Sequence, residues 1–305
     1  MYKDVSIVAG PSSVDLASGI SKHLNAELVP VDLRVFADGE SKIKVRRVKD
    51  HCVIVQSTYP PTDRHLLQAL MLIKRCSEDS AKVYAVMPYM AYSRQDRAFL
   101  KGEAVSMDAV AKLIEAVGTK TLITVDIHSL ASLSYFTINA QNISAVGPLA
   151  RYAKAKFKTN VPIVVSPDNG GVQRVMEFAN ELGTDMIALT KRRNKDTGEV
   201  IIEEKELNCN MVDRDLILLD DTISTGGSII EACRFLRKYK PNKIYAMCTH
   251  AVLIGDTKRR VKAAGIEEII STNSIPGNSA KVDLAGLISG QIKNIIESKN
   301  LSSKC

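Results

Sequence analysis

Residues 218–228 read Leu-Leu-Asp-Asp-Thr-Ile-Ser-Thr-Gly-Gly-Ser, an apolar run that meets two acids and then a Ser/Thr/Gly loop. The order puts Asp220 and Asp221 at the end of a buried strand. Ser224, Thr225, Gly226, Gly227 and Ser228 then lead into a helix-like stretch. Backbone N–H groups at such a loop can hold a phosphate at a helix N-terminus, while the carboxylates face hydroxyls of the same molecule. A phosphorylated sugar has both features. The loop lacks the Gly-Lys-Ser/Thr ending of a Walker A motif. Surface acids on a plain strand–turn–helix are the alternative, but two adjacent acids are costly to bury without a ligand or partner.

Five further segments carry chemistry-bearing residues. Tyr92-Ser93-Arg94-Gln95-Asp96-Arg97 offers two guanidinium forks, which grip phosphate oxygens bidentately. Ser166-Pro167-Asp168-Asn169-Gly170-Gly171 places an acid at a strand end before two glycines, leaving room for phosphate or a hydrated metal ion. Lys191-Arg192-Arg193 follows a buried strand and reads either as a solvated basic patch or as a charge donor. Phe36-Ala37-Asp38-Gly39-Glu40 reads on its own as a turn, and His128 in Asp126-Ile127-His128 as a structural histidine.

Together these segments resemble the ribose-phosphate diphosphokinase (phosphoribosyl-diphosphate synthetase) family over almost the whole chain. The Asp220–Ser228 loop alone also resembles type I phosphoribosyltransferases. Tyr-x-Arg-Gln-Asp-Arg is the most specific of the matches. The resemblance implies a diphosphate transfer from ATP to the anomeric hydroxyl of ribose 5-phosphate, with Mg²⁺ as cofactor and AMP as second product, for nucleotide biosynthesis. It implies ATP contacts from Phe36, Asp38, Gly39, Glu40, Arg94 and Gln95, with Asp96 and Arg97 supporting them. Lys191 and Arg193 become catalytic, and Arg193 also meets the sugar phosphate. Asp220, Asp221, Ser224, Thr225, Gly226, Gly227 and Ser228 bind ribose 5-phosphate, and His128 and Asp168 hold the metal. The Phe36–Glu40 hairpin often reaches across a subunit boundary in this family, so a homo-oligomer is expected. Two stretches depart from the pattern. Ser224 stands where many members have Asp, and residues 132–139 replace a Gln-Gly-Phe-Phe-Asp-like run. Residues 57–63 and 102–106 resemble the short archaeal-type members.

A salvage phosphoribosyltransferase would share the acid loop but leave the Arg-Gln-Asp-Arg run and a second α/β half unexplained. A non-catalytic relative would be expected to lack Lys191, Arg193, His128 or Asp168, and all four are present.

The elements that must position these groups alternate. Short apolar runs at 5–8, 53–56, 83–87, 121–125, 163–165, 186–189, 216–219 and 244–248 read as strands buried on both faces. Between them, Thr62 and Ser106 are placed to cap helices, and Gly118 and Gly183 to stop them. The pattern predicts an α/β fold with parallel sheets, and with the resemblance two tandem type I phosphoribosyltransferase-like domains, 1–145 and 146–305. Strand 53–56 resembles 163–165, 83–87 resembles 186–189, and 121–125 resembles 216–219, a duplication with offsets of roughly 95 to 110 residues.

With 305 residues, 45% hydrophobic and 25% charged, the chain is an ordinary globular one. No apolar run is long enough to span a membrane. The net charge of +7 is spread rather than gathered in one tract, and with no Trp and 5% aromatics there is little for base stacking, so no nucleic-acid partner is expected. Six scattered cysteines form no C-x-x-C pair, and no signal-peptide pattern opens the chain, so a reducing, cytoplasmic setting is expected.

Overall fold

The computed structural model describes residues 2–193, 200–202 and 210–302, with 191–193, 200–202 and 299–302 described by their backbone. The chain forms two compact units. The first holds β1 (Val5–Ala9), α1 (Val14–Leu24), β2 (Glu27–Pro30), β3 (Asp32–Val35), β4 (Ser41–Lys44), β5 (His51–Val55), α2 (Thr62–Ser77), β6 (Lys82–Met87), α3 (Ser106–Ala116), β7 (Thr121–Val125) and β8 (Asn139–Ile143). The second holds α4 (Val146–Lys156), β9 (Ile163–Ser166), α5 (Val172–Leu182), β10 (Met186–Ala188), β11 (Lys191–Arg193), β12 (Val200–Ile202), β13 (Leu216–Ile223), α6 (Gly227–Leu236), β14 (Ile244–Ala251), α7 (Thr257–Ala263), β15 (Ile266–Thr272) and β16 (Ala280–Val282). A last helix, α8 (Ala285–Ser302), packs on α1 and belongs to the first unit. The range 146–305 expected for the second half therefore differs from the compact unit, which gives up α8 to its neighbour's core.

Each unit is built on a six-stranded parallel sheet. The orders are β2-β1-β5-β6-β7-β8 and β10-β9-β13-β14-β15-β16. Strands such as β1, β5 and β7 are buried at every residue, because helices cover both faces. The helices are amphipathic: α5 buries Val175, Phe178, Ala179 and Leu182, a 3–4 residue spacing that faces the sheet. Gly183 then ends α5 with φ 75°. Thr62 and Ser106 are the first helical residues rather than caps. Pro61 and Val105 flank α2 and α3, and no side-chain cap bond forms. Burial of Leu66, Ala69, Leu72 and Ile73 on one face holds α2 in place without it.

The two sheets repeat the same strand order, and each unit inserts an antiparallel hairpin, β3–β4 or β11–β12, between its second and third sheet strands. The repeat therefore pairs β1 with β9, β2 with β10, β5 with β13, β6 with β14 and β7 with β15. This corrects the sequence-based pairing, which set 53–56 (β5) against 163–165 (β9) and used offsets that are too short. Parallel strands buried on both faces all read as Val/Ile-rich runs, so their likeness cannot fix which strand matches which.

Candidate active site

In an open parallel sheet the ligand crevice lies beyond the strand C-termini where the strand order reverses. In the second unit that point is between β9 and β13, and the two acid-bearing segments converge there. Asp168 follows β9 and Asp220 and Asp221 lie near the end of β13. The strand runs two residues past the acids, to Ile223, because Thr222 and Ile223 keep their register with His250 and Ala251 of β14. The acids are thus fixed on a rigid ladder rather than on a loop.

Asp168 is extended (φ −158°, ψ 178°), and its carboxylate accepts from the Gly170 N–H at 3.0 Å. Its carbonyl accepts from the Ser166 hydroxyl at 2.6 Å. Gly171 must be glycine for space: a Cβ there would lie 2.9 Å from Ser166 Oγ. Asp220 and Asp221 have side chains 16% and 9% exposed. Burial first, and then repulsion from Asp221, push the Asp220 carboxyl well above the usual carboxylate range, with Asp168 adding to it. The Asp221 N–H donates to Asp220 Oδ1 at 2.8 Å, which works the other way.

Arg174 offsets part of this charge. Its Nη1 stands 3.9 Å from Asp220 Oδ1 and 3.9 Å from Asp221 Oδ1. Sequence reasoning stopped at Gly171 and missed this residue. The available clue was a basic residue in the first turn of a helix, where the backbone dipole disfavours a cation. An arginine there is explained only by acids across from it.

The loop after β13 presents amides and withholds carbonyls. The Ser224 carbonyl accepts from the Ile254 N–H (3.2 Å) and the Thr257 hydroxyl (3.0 Å), and the Ile223 carbonyl from the Leu253 N–H (3.1 Å). Arg260 Nη1 reaches the Thr225 carbonyl at 3.5 Å. Gly226 takes φ 76° and packs so closely that a Cβ would come within 3.0 Å of Val261 Cγ2. The first intrahelical bond of α6 is from Ile230 to the Gly226 carbonyl (2.9 Å), so the N–H groups of Gly227, Ser228 and Ile229 begin the helix without an intrahelical acceptor. With the Ile223, Ser224 and Thr225 carbonyls taken and, among the described residues, no acceptor for the first N–H groups of α6, the loop has a donor geometry that can hold an anion.

The equivalent point of the first unit, between β1 and β5, is filled by the protein itself. The Ser12 N–H donates to Gln56 Oε1 (3.2 Å), the Ser12 hydroxyl to the Ser57 carbonyl (2.6 Å), and the Ser57 N–H to Ser13 Oγ (2.9 Å). Gln56 and Ser57 are fully buried where the second unit has its acids.

The remaining sequence-derived residues of the first unit sit at the ends of β6 and β7 and on the β3–β4 turn. Arg94, Gln95 and Arg97 are exposed on the segment after β6. Asp96 is engaged within the protein: its carboxylate accepts from the Ser129 hydroxyl and its carbonyl from the Tyr135 hydroxyl, both at 2.6 Å. Ser129 is the neighbour of His128, so Asp96 ties the arginine-bearing segment to the His128 segment. Tyr135 comes from the stretch that departs from the family pattern, which here acts as a brace. Tyr92 turns the chain at φ 65°, and its hydroxyl hydrogen-bonds to the Asp63 carboxylate of α2. His128 is exposed, and the buried Asp126 has φ 39°.

Phe36 at the turn is 37% exposed, with the Arg34 guanidinium 4.8 Å from its ring centroid. The turn closes by Phe36 N–H to the Glu40 carbonyl (2.8 Å). Gly39 sits at φ 94°, and Asp38 accepts from the Glu40 N–H at 3.1 Å. Lys191 and Arg193 are on the backbone of β11, paired with Ile202 and Val200, and their side chains lie outside the described residues.

The comparisons with known proteins meet this geometry at both halves. Residues 5–118 match the model of the N-terminal domain of ribose phosphate pyrophosphokinase, and residues 135–283 match the phosphoribosyl transferase domain. The chain belongs to the ribose-phosphate pyrophosphokinase family. Relatives of that name include one from Methanopyrus kandleri, 38% identical over 95% of this chain and 99% of the relative. Another, from Methanobrevibacter smithii, is 35% identical over 94% and 100%, and one from Staphylococcus epidermidis is 33% identical over 94% and 92%. The fold is similar to a crystal structure of phosphoribosylpyrophosphate synthetase from Mycobacterium smegmatis, with TM-score 0.83, 26% identity and coverage of 97% of this chain and 100% of that one. The family's members are enzymes, and the tandem phosphoribosyltransferase-like architecture expected from the sequence is the one found.

The acid cluster after β9 and on β13 can be tested for a divalent cation by its donor set. Asp220 is raised by the charges of Asp221 and Asp168, and Arg174 stands off at 3.9 Å from Asp220 and from Asp221. Hard carboxylate oxygens in excess of the nearby positive charge suit Mg²⁺. Among the described residues no three His, Cys, Asp or Glu side chains are gathered as a ready metal cage. An ion held here would therefore complete its shell with water and substrate oxygens, as Mg²⁺ ordinarily does. His128 is on the first unit and Asp168 on the second.

Proposed function

We propose that the chain transfers an intact diphosphate group from ATP to the 1-hydroxyl of ribose 5-phosphate, giving 5-phosphoribosyl 1-diphosphate and AMP for nucleotide biosynthesis. One observation carries the reading: at one crevice a phosphate-shaped loop, Ser224–Ser228, adjoins a buried carboxylate pair, Asp220 and Asp221. The loop amides and hydroxyls take the 5-phosphate. The carboxylates accept hydrogen bonds from the ribose hydroxyls, and the hydroxyl–carboxylate bonds replace the water that Asp220 has lost.

The hydroxyl oxygen at C1 attacks the β-phosphorus. The bond from that phosphorus to the α–β bridging oxygen breaks, the electron pair leaves with AMP, and the hydroxyl proton passes to solvent. Such a transfer depends on alignment and on positive charge at the phosphoryl oxygens more than on a strong base. Arg94 is exposed, and Arg97, also exposed, rests its guanidinium 5.1 Å from the Phe99 ring centroid rather than on the Asp96 carboxylate; both turn to the triphosphate. Lys191 and Arg193 supply charge at the transferring group. By the resemblance Asp168 and, separately, His128 are the residues that would hold Mg²⁺, which would supply charge to neutralise diphosphate oxygens. Phe36 offers a ring to the adenine, and Asp38, Gly39 and Glu40 shape the turn that presents it. A partner subunit that encloses the exposed Phe36 would make the enzyme a homo-oligomer.

No described helix is long and apolar enough to cross a membrane, and Cys52, Cys76, Cys233 and Cys248 are free and buried. The buried free thiols accord with the reducing, cytoplasmic setting read from the sequence. The deciding assay follows AMP and phosphoribosyl diphosphate by chromatography with ATP, Mg²⁺ and ribose 5-phosphate. Equimolar formation of both is expected. ADP in place of AMP, or no turnover without an added nucleobase, would overturn the reading in favour of a kinase or a salvage transferase.

A further inference from the structure

Beside α7 lies an open cavity of about 290 Å³, lined by α7, β15 and the edge of β16. Its charge is uneven. Glu267 and Glu268 line it, but Lys243 Nζ lies 3.7 Å from Glu267 Oε1 and Lys156 Nζ lies 2.7 Å from Glu268 Oε2. Both acids are thus balanced by lysines that are not part of the cavity wall. Three other lysines do line it, Lys258 and Lys262 on α7 and Lys281 on β16. Among the described residues no carboxylate pairs with these three. Val261, Ile266 and Ile269 give the lining an apolar part as well. Lysines together with apolar side chains in one lining suit an anion with an apolar body. The volume is near the lower end of small-molecule sites, which run from roughly 300 to 1,000 Å³. It suits a compact group, not a dinucleotide.

The cavity wall is also the support of the phosphate loop. Leu253 lines the cavity, and its N–H holds the Ile223 carbonyl at 3.1 Å. Val261 lines the cavity and is the residue against which Gly226 packs. On one helix, Lys258, Val261 and Lys262 share a face, while Thr257 and Arg260 reach the Ser224 and Thr225 carbonyls. A ligand that shifts α7 must move the groups that hold the loop's carbonyls.

We propose that this cavity is an effector site for a compact phosphate monoester with an apolar or aromatic body, and that its occupancy alters ribose 5-phosphate affinity through α7. The coupling rests on the reading of Ser224–Ser228 as the sugar-phosphate loop; the binding does not. Phenyl phosphate is a suitable probe, because it has the charge and the ring but no ribose.

Titration calorimetry of the full chain with phenyl phosphate and, separately, with inorganic phosphate tests the site. Phenyl phosphate should bind one per chain, at least tenfold more tightly than inorganic phosphate. The Lys258→Met/Lys281→Met double variant keeps the aliphatic stems and removes two charges, and should lose at least tenfold in that affinity. Thermal unfolding verifies that it is folded. Equal affinity in the double variant, or no binding of phenyl phosphate, overturns the site. For the coupling, ribose 5-phosphate affinity is measured with and without saturating phenyl phosphate, and the reverse titration must give the same factor. Phenyl phosphate binding with no change in ribose 5-phosphate affinity overturns the regulation while leaving the site. A chain that binds phenyl phosphate but never ribose 5-phosphate points instead to a fault in the assignment of the loop.

Discussion

Replacing Asp220 by Asn should stabilise the ligand-free protein and weaken its hold on ribose 5-phosphate, because the same carboxylate is a burden to the fold and an asset to the site. The side chain is 16% exposed and lies beside Asp221, with Arg174 no closer than 3.9 Å. Burial and the neighbouring acids raise its carboxyl well above 3.8. For an acid raised in the folded state, the folded chain keeps a proton that the unfolded chain has released. Stability therefore falls as pH rises from about 3.8 toward the folded value, and the loss is complete above it. Asn has the same shape and keeps an oxygen for the Asp221 N–H, without the charge. Relief of a poorly compensated buried charge should stabilise the protein by about 1–3 kcal/mol at neutral pH. That corresponds to a rise of roughly 2–10 °C in Tm. The gain should shrink at low pH, where the wild-type carboxyl is already neutral. Hydrogen bonds to a charged acceptor contribute about 1.5–3 kcal/mol, so ribose 5-phosphate should bind roughly 10- to 150-fold more weakly. Scanning calorimetry from pH 4 to 8 without ligand, and isothermal titration with ribose 5-phosphate and Mg²⁺, give the two readouts. A variant less stable than wild type across that range would refute the electrostatic reasoning. Unchanged sugar-phosphate affinity would refute the role assigned to the carboxylate.

Three further outcomes follow from the same geometry. Lys191→Ala and Arg193→Ala should each lower kcat by about 10²–10³ without a change in Tm, as for removal of an electrostatic donor, and stopped-time product assays that show wild-type kcat in both would remove them from the mechanism. Gly226→Ala forces a side chain onto φ 76° within 3.0 Å of Val261; it should cost about 1–2 kcal/mol in stability and raise KM for ribose 5-phosphate far more than KM for ATP. Tyr135→Phe and Ser129→Ala each release one bond from Asp96. Both should raise KM for ATP several-fold with little change in the ribose 5-phosphate KM, and an equal rise in the two would show that the brace does not serve the arginine segment.

What the sequence settles by itself is the local order. Period, composition and spacing name most of the core strands and place Asp168, Asp220 and Asp221 at strand ends, because a buried parallel strand must be apolar and its ligand groups must follow it. The quartet Arg94-Gln95-Asp96-Arg97 and the Ser224–Ser228 loop are legible for the same reason, since their chemistry lies in contiguous residues. The polar or short strands β2, β8 and β16 left no comparable pattern, and β15 is unread too, its apolar run being broken by Glu267 and Glu268.

Tertiary structure decided everything that depends on which segments meet. The supporting role expected of Asp96 beside two arginines has partners that sequence cannot name, because the hydroxyls that reach its carboxylate and its carbonyl come from Ser129 and Tyr135, more than thirty residues away in the chain. Arg174 drew no notice until α5 set it against two acids from β13. The duplication was visible in the sequence with the wrong strands paired, because alike Val/Ile runs carry no register, and only the shared sheet order with its inserted hairpins fixed the match. The sequence reading has no counterpart for α8 at all, and its place against α1, at the opposite end of the chain, is decided by tertiary packing alone.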